Sequence, residues 1–115
     1  MAGQYDITIE QGATFTLALT YKDGANQAVD LTGYTAKMQV RPFARSPKVI
    51  LERTSQSGKI ALGGAAGTVT ITATAQETAA LTPGVGVYDI ELYSPISTTV
   101  RLLQGDVSIS AEVTR

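Results

Sequence analysis

The sequence predicts an all-β fold, an Ig-like antiparallel β-sandwich of about seven to nine strands with one short helix. Two patterns support this prediction: short segments in which apolar and polar residues alternate, and turn residues that separate these segments about every 8–12 residues. Because successive side chains of a strand point to opposite faces, each such segment is typical of a strand with one buried face. The chain has 115 residues, and we expect one domain over residues 1–115.

The first half of the chain contains three predicted strands. Residues 5–10 alternate, and residues 11–13 interrupt the pattern. Residues 14–21 show the cleanest alternation, with threonine on the exposed face, where it suits a pleated surface. Residues 34–41 alternate again, and Pro42 ends that strand because proline cannot donate a ladder hydrogen bond. The predicted inward residues of the second and third strands are Phe15, Leu17, Leu19, Tyr21, Tyr34, Ala36, Met38 and Val40.

The middle of the chain predicts further strands and the helix. The strands cover residues 49–53, 59–62 and 68–72. Thr74 and Glu77 then fit a capping box, in which the threonine hydroxyl accepts a hydrogen bond from the Glu77 N–H while the glutamate carboxylate accepts one from the Thr74 N–H. We therefore expect a short helix over residues 75–81.

Within the segment of residues 79–93, the second half, residues 87–93, predicts the central strand of the fold. Tyr88, Ile90 and Leu92 lie on one face, and mostly polar residues alternate with them on the other. Tyr88 fits a tyrosine corner, in which the ring is buried and the hydroxyl donates to upstream backbone. This segment therefore has one face toward the core and one toward solvent.

A final strand is predicted over residues 100–113. Leu102, Val107 and Ile109 do not share one parity, which indicates an extra residue within the strand. We place this bulge at Gln104–Gly105, because glycine in a strand often marks such an irregularity.

Composition excludes several classes of function. The formal net charge is −1 and no basic stripe is present, so we expect no nucleic-acid partner. The chain has no cysteine and no histidine, which removes the thiolate nucleophile, the usual general base of hydrolases and the commonest zinc ligands. We predict no enzymatic activity, no cofactor and no membrane partner.

Residues 1–6 lack the features of a signal peptide, and the absence of cysteine favours folding in a reducing cytoplasm.

Two carboxylates are the strongest candidates for chemistry. Asp89 and Glu91 lie two residues apart on the exposed face of the central strand, which places their carboxyl groups about 6–7 Å apart. This is close to the separation of a glycosidase pair. The alternative is a solvated face: if Leu92 pairs with Val100, Glu91 lies opposite Arg101 and forms an ordinary cross-strand ion pair. No Asp-x-Asp spacing supports a calcium site, so we predict no metal.

A partner interface is predicted at Arg41, Phe43, Arg45 and Tyr93. Phe43 lies between the two arginines, and an exposed aromatic beside arginine is the composition of an interface anchor. The alternative is that Phe43 folds back and covers the open end of the sandwich. Tyr93 is a weaker candidate of the same kind, since it lies on the polar face of the central strand.

Several segments resemble proteins encoded in the structural gene clusters of tailed phages and prophages. These segments are residues 11–17, 29–41, 63–71, 81–92 and 100–107. The order Gly-x-Thr-Phe-x-Leu, Asp-Leu-Thr-Gly, Tyr-Asp-Ile-Glu and Gly-x-Val is also similar to that of the Ig-like N-terminal domain of phage upper-baseplate proteins. The resemblance covers most of the chain.

The resemblance implies a non-enzymatic virion protein that is made in the bacterial host cytoplasm. It implies a tail, baseplate or neck accessory subunit, or a head decoration protein, which contacts other virion proteins and forms a homo-oligomer in a symmetric assembly. Upper-baseplate proteins continue into long C-terminal regions, whereas this sequence stops at Arg115, which favours a small accessory subunit. The alternative is a carbohydrate- or receptor-binding module at the tail tip, which requires an aromatic platform built from Phe43 and the tyrosines.

Overall fold

The computed structural model describes residues 3–114. Three residues lie outside the described part of the chain: Met1, Ala2 and Arg115. All three belong to the predicted domain, and Met1 and Ala2 also belong to the segment 1–6, for which no signal peptide is predicted. The strands are β1 (Gly3–Gln4), β2 (Ile7–Glu10), β3 (Phe15–Thr20), β4 (Thr35–Arg41), β5 (Leu51–Thr54), β6 (Ile60–Leu62), β7 (Thr68–Ala73), β8 (Gly84–Tyr93) and β9 (Thr99–Ser110). The helices are a 3-10 helix at Gly64–Ala66 and α1 (Ala75–Ala79).

The strands form two sheets, so the predicted all-β sandwich is confirmed. The large sheet has the order β1-β9-β8-β4-β5, with β2 also paired to β9, and the small sheet has the order β3-β7-β6. Not all pairs are antiparallel as predicted, because β1 and β2 run parallel to β9. These strands come from the two ends of the chain, so no short hairpin has to join them.

The inner faces of the two sheets form one hydrophobic core cluster. The alternation predicted for β4, β7 and β8 is confirmed, since their inward residues are buried. These residues are Ala36, Met38, Val40, Val69, Ile71, Tyr88, Ile90 and Leu92. The inward residues of β3, among them Leu17 and Leu19, are only partly buried. β3 lies at the edge of its sheet, which accounts for this difference.

The predicted position of the bulge in the last strand is wrong. Ile90 pairs with Leu103 and Glu91 pairs with Arg101, so Leu102 is the extra residue. The glycine at position 105 has another reason: a Cβ there would lie 2.1 Å from the Tyr5 carbonyl oxygen. Gly105 therefore permits the N-terminal segment to approach β9, while Leu102 changes the parity of the strand.

Tyr88 does not form a local corner. Its ring is buried as predicted, and its hydroxyl donates to the backbone carbonyl of Tyr5, which lies between β1 and β2 rather than a few residues upstream. Burial, followed by the nearby Asp6 and Tyr5, raises the pKa of Tyr88 to about 12. The hydroxyl therefore stays protonated and connects β8 to the N-terminal segment.

The capping box at the start of α1 is confirmed. The Glu77 N–H donates to Thr74 Oγ1 over 3.1 Å, and the Thr74 N–H donates to Glu77 Oε1 over 2.9 Å. The helix ends at Ala79, two residues earlier than predicted. Thr78 on this helix is fully buried, and its hydroxyl accepts from the Gly12 N–H over 3.1 Å and donates to the Ala13 carbonyl over 2.8 Å. This side chain connects α1 to the loop between β2 and β3.

Candidate interaction surface

The outer face of the large sheet carries a polar groove with a volume of about 520 Å³. We call it the outer-face groove. The strands β4, β8 and β9 position its side chains in cross-strand rows, because residues at the same level of paired strands share a face. One row is Gln39, Asp89 and Gln104, and the next is Lys37, Glu91 and Arg101.

Asp89 lies at the centre of this groove. Its Oδ2 atom is 3.4 Å from Arg101 Nε, and this arginine belongs to the neighbouring row. Arg101 and Gln104 lie three residues apart yet face the same groove, because the bulge at Leu102 changes the parity of β9. Burial raises the pKa of Asp89, as does the nearby Glu91, whereas Arg101 and Arg41 act in the opposite direction.

Glu91 has a different partner. Its Oε1 atom accepts a hydrogen bond from the Tyr93 hydroxyl over 2.8 Å. The condition set for the solvated-face alternative holds, since Leu92 pairs with Val100 and Glu91 lies opposite Arg101. The ion pair itself, however, forms diagonally between Arg101 and Asp89.

The geometry around the two carboxylates is that of a charged sheet face. Asp89 contacts an arginine and Glu91 accepts from a tyrosine, so each carboxylate has its own partner. Burial raises the pKa of Tyr93 to about 12, and its hydrogen bond to Glu91 adds to the shift, so this hydroxyl donates at neutral pH. The absence of enzymatic activity stays a prediction.

Arg41 orders the loop that follows β4. Its Nη1 atom donates to the Ser46 carbonyl over 2.6 Å, and its Nη2 atom donates to Gln39 Oε1 over 2.8 Å. The Ser46 N–H donates to the Phe43 carbonyl over 3.0 Å, and Ser46 itself is buried. This network holds a tight turn from Phe43 to Ser46.

Phe43 points to solvent from this turn, with 60% of its surface exposed. The alternative that Phe43 covers the end of the sandwich is therefore wrong. Arg45, two residues further along, is also exposed. The interface role predicted for both residues stays a prediction, but the loop presents the aromatic ring on an ordered backbone.

Tyr93 does not join this loop. Arg41 pairs with Val87 and Tyr93 pairs with Thr35, so the two predicted interface residues lie six positions apart along β8. At about 3.3 Å per residue this separates them by about 20 Å. The structure thus brings Arg41, Phe43 and Arg45 together and leaves Tyr93 at the opposite end of the same face.

Within residues 3–114, no group of three or more acidic residues is arranged to hold a metal ion. None of the helices in this range has the length and apolar character needed to cross a membrane.

A cluster of charged residues that the sequence did not reveal connects the two sheets. The Nη1 atom of Arg53 on β5 lies 2.9 Å from Glu77 Oε2, and Lys59 Nζ lies 3.4 Å from the same oxygen. Only 9% of the Arg53 side chain is exposed. The capping box identified Glu77, but no local pattern relates this helical residue to an arginine on β5, 24 residues earlier in the chain.

Comparisons with known proteins give no assignment: no protein-family model matches the sequence, and no curated protein gives a significant match. The resemblance to phage structural proteins therefore stays a prediction from the sequence motifs.

Proposed function

We propose that the chain is a non-enzymatic structural subunit of a phage virion, which assembles through contacts with other virion proteins. The observation that carries the proposal is the exposed ring of Phe43 on an ordered turn. Aromatic residues beside arginine are frequent anchors of protein interfaces. An anchor that is already ordered loses little conformational entropy when it binds.

The remaining support comes from sequence. The segments that resemble tailed-phage structural proteins cover most of the chain and include the loop's preceding strand, β4. The proposal places the protein in the virion after synthesis in the host cytoplasm, as a tail, baseplate, neck or head accessory subunit. In a symmetric particle, repeated copies of a modest interface act together, so no single contact has to be tight.

The proposal is tested by incorporation into particles. Particles of the phage or induced prophage that encodes the chain are purified, and the protein is quantified by mass spectrometry and located by electron microscopy. We expect Phe43→Ser to lower incorporation by about tenfold or more. The matched control is Ile96→Ser, since Ile96 is 83% exposed on a different turn. Absence of the wild-type chain from particles would contradict the proposal.

A second candidate function is a carbohydrate-binding module, and the outer-face groove favours it. Gln39, Asp89 and Gln104 form a row of amide and carboxylate groups that suits sugar hydroxyls. The groove offers little aromatic surface, because Tyr88 is buried and Tyr93 donates to Glu91. Binding on a glycan array that is lost in Asp89→Asn and kept in Phe43→Ser would favour this candidate over the first.

A further inference from the structure

Strand β3 is an edge whose outward backbone groups have no partner strand among the described residues. Within residues 3–114 it pairs only with β7. The Tyr21 N–H, just beyond β3, donates to the Gly67 carbonyl directly opposite in the same register. Since backbone groups in a strand alternate between its two sides, the N–H and C=O groups of Thr16, Ala18 and Thr20 point away from β7.

This edge lacks the features that usually prevent strand addition. Natural edge strands are short, or carry charge, proline or bulges. β6 has three residues and β1 has two, and β5 carries Glu52 and Arg53. β3 has six residues, Phe-Thr-Leu-Ala-Leu-Thr, with no charge and no proline.

An apolar groove of about 610 Å³ runs along the same edge. We call it the edge groove. Leu17 and Leu19 of β3 line one side, and Leu102 and Leu103 of β9 line the other. All four side chains are only partly buried. A strand added beside β3 would place its own inward side chains over this groove.

The sequence of the edge is symmetric about Ala18. Residues 16–20 are Thr-Leu-Ala-Leu-Thr, which is the same in both directions. When two copies lie antiparallel with Ala18 on a twofold axis, each Thr16 faces Thr20 of the other copy and each Leu17 faces Leu19. Ala18 is one of the residues with outward backbone groups, so the axis passes through a hydrogen-bonded pair, in which both residues donate and accept.

We propose that two copies of this chain associate through β3, antiparallel about Ala18, so that the two small sheets become one continuous sheet. The leucines of both copies then cover the two edge grooves, and the threonines form rows on the outer face, where cross-strand threonine pairs are favourable. The interface is isologous, as in most symmetric dimers. This inference gives the proposed virion subunit a specific self-contact and rests on that function for its biological role.

The first test is the mass of the full chain in solution as a function of concentration. We expect the wild type to reach twice its 12.0 kDa mass. In Ala18→Lys two ammonium groups would face each other across the axis, and we expect the dissociation constant to rise by about tenfold. The matched control is Ala61→Lys: Ala61 is also exposed, and it pairs with Thr70 from the β6 side as Ala18 does from the β3 side. This control should dimerise like the wild type.

A second test uses the absence of cysteine from the chain. In the proposed dimer the two Ala18 Cα atoms lie about 5.5 Å apart, within the range of a disulfide. Mild oxidation should therefore convert Ala18→Cys to a covalent dimer and leave Ala61→Cys without a covalent cross-link when the products are separated under denaturing conditions. Both substitutions are at exposed positions, so loss of folding is not expected to obscure the result.

Three results would contradict the inference: a wild type that is monomeric at every concentration, a dimer that Ala18→Lys leaves unchanged, or cross-linking through Ala61→Cys alone. If the wild type is monomeric but enters particles, this inference fails and the proposed function stands; the edge would then receive a strand of a different protein. If the wild type dimerises through Ala18 but is absent from particles, the proposed function fails and the self-contact stands.

Discussion

The two edges of the small sheet differ in how they meet the large sheet. At the β6 edge, Arg53 and Lys59 both contact Glu77, and the turn between β5 and β6 joins the two sheets directly. We call this the closed edge. At the β3 edge, the open edge, the two sheets are separated by the apolar edge groove, and no described ion pair crosses it. At the closed edge ion pairs connect the two sheets, whereas at the open edge apolar side chains stay partly exposed.

The difference shows what charge does at the margin of a small sandwich. An ion pair at the closed edge connects the sheets and also discourages the addition of another strand. The open edge has no such ion pair among the described residues. Its leucines and the outward backbone groups of β3 therefore remain available to another strand. The small sheet thus has one edge that discourages the addition of a strand and one edge that permits it.

The largest expected effect comes from α1, the helix that carries the carboxylate of the closed edge. Thr78→Val keeps the shape of a buried side chain but leaves the Gly12 N–H and the Ala13 carbonyl without their partner. We expect the free energy of unfolding to fall by about 2–3 kcal/mol in denaturant titrations. Thr72→Val, at an exposed position of β7, should change it by less than about 0.5 kcal/mol. Equal effects of the two variants would contradict the role assigned to Thr78.

A smaller effect is expected on the side of the open edge. Tyr88→Phe removes the hydroxyl that donates to the Tyr5 carbonyl, and Tyr5 lies along the edge groove. We expect a loss of about 1 kcal/mol in unfolding free energy, together with faster hydrogen exchange at the Tyr5 N–H, which donates to the Gln104 carbonyl. Tyr21→Phe serves as the control, and unchanged exchange in Tyr88→Phe would argue against this connection.

The closed edge should also respond to acid. The Thr74 N–H, followed by Arg53, lowers the pKa of Glu77 from 4.5 to about 2. Because the folded protein binds this proton less readily than the unfolded chain, the stabilisation is fully present above pH 4.5 and is lost as the pH falls toward 2. Solvent screening keeps the effect modest.

The measurement is stability as a function of pH. Glu77→Gln should flatten the curve between pH 4.5 and 2, since glutamine does not titrate. Glu10→Gln, an exposed position at the end of β2, should leave that part of the curve in place. If stability still falls between pH 4.5 and 2 in Glu77→Gln, other carboxyl groups cause that fall.

The smallest effect is expected on the outer face of the large sheet. Arg101 and Asp89 are both substantially exposed, and exposed ion pairs contribute little. Arg101→Gln should change the free energy of unfolding by less than about 0.5 kcal/mol, measured beside Thr78→Val. A loss comparable to that of Thr78→Val would show that the outer face contributes as much to stability as the buried hydroxyl of α1.

The sequence predicted the parts of the fold that local patterns control. Alternation identified the buried rows of β4, β7 and β8, because facing the core imposes a period of two on each strand. The capping box identified the start of α1, since both of its hydrogen bonds lie within four residues. The interface role of the loop at Phe43 was predicted from composition alone and stays a prediction.

Sheet order was beyond local patterns, and so were the features that depend on it. Whether β3 is an edge depends on which strands come to lie beside it, so the symmetry of residues 16–20 had no evident meaning in the sequence. The partners of Arg53 and Tyr88 lie 24 and 83 residues away along the chain. The position of the bulge follows from the pairing of β8 with β9, which places Leu102 and not Gly105 outside the ladder.

Leu102 has a consequence for how this chain tolerates a change in length. Because the ladder skips this residue, a chain without it would pair Arg101 and Leu103 with the same partners in an unbroken register. Deletion of a residue of β9 away from the bulge, such as Val107, would instead exchange inner and outer side chains along part of the strand. The residue that strand pairing does not require is one of the four leucines of the edge groove, so its side chain contributes to that groove and not to the ladder.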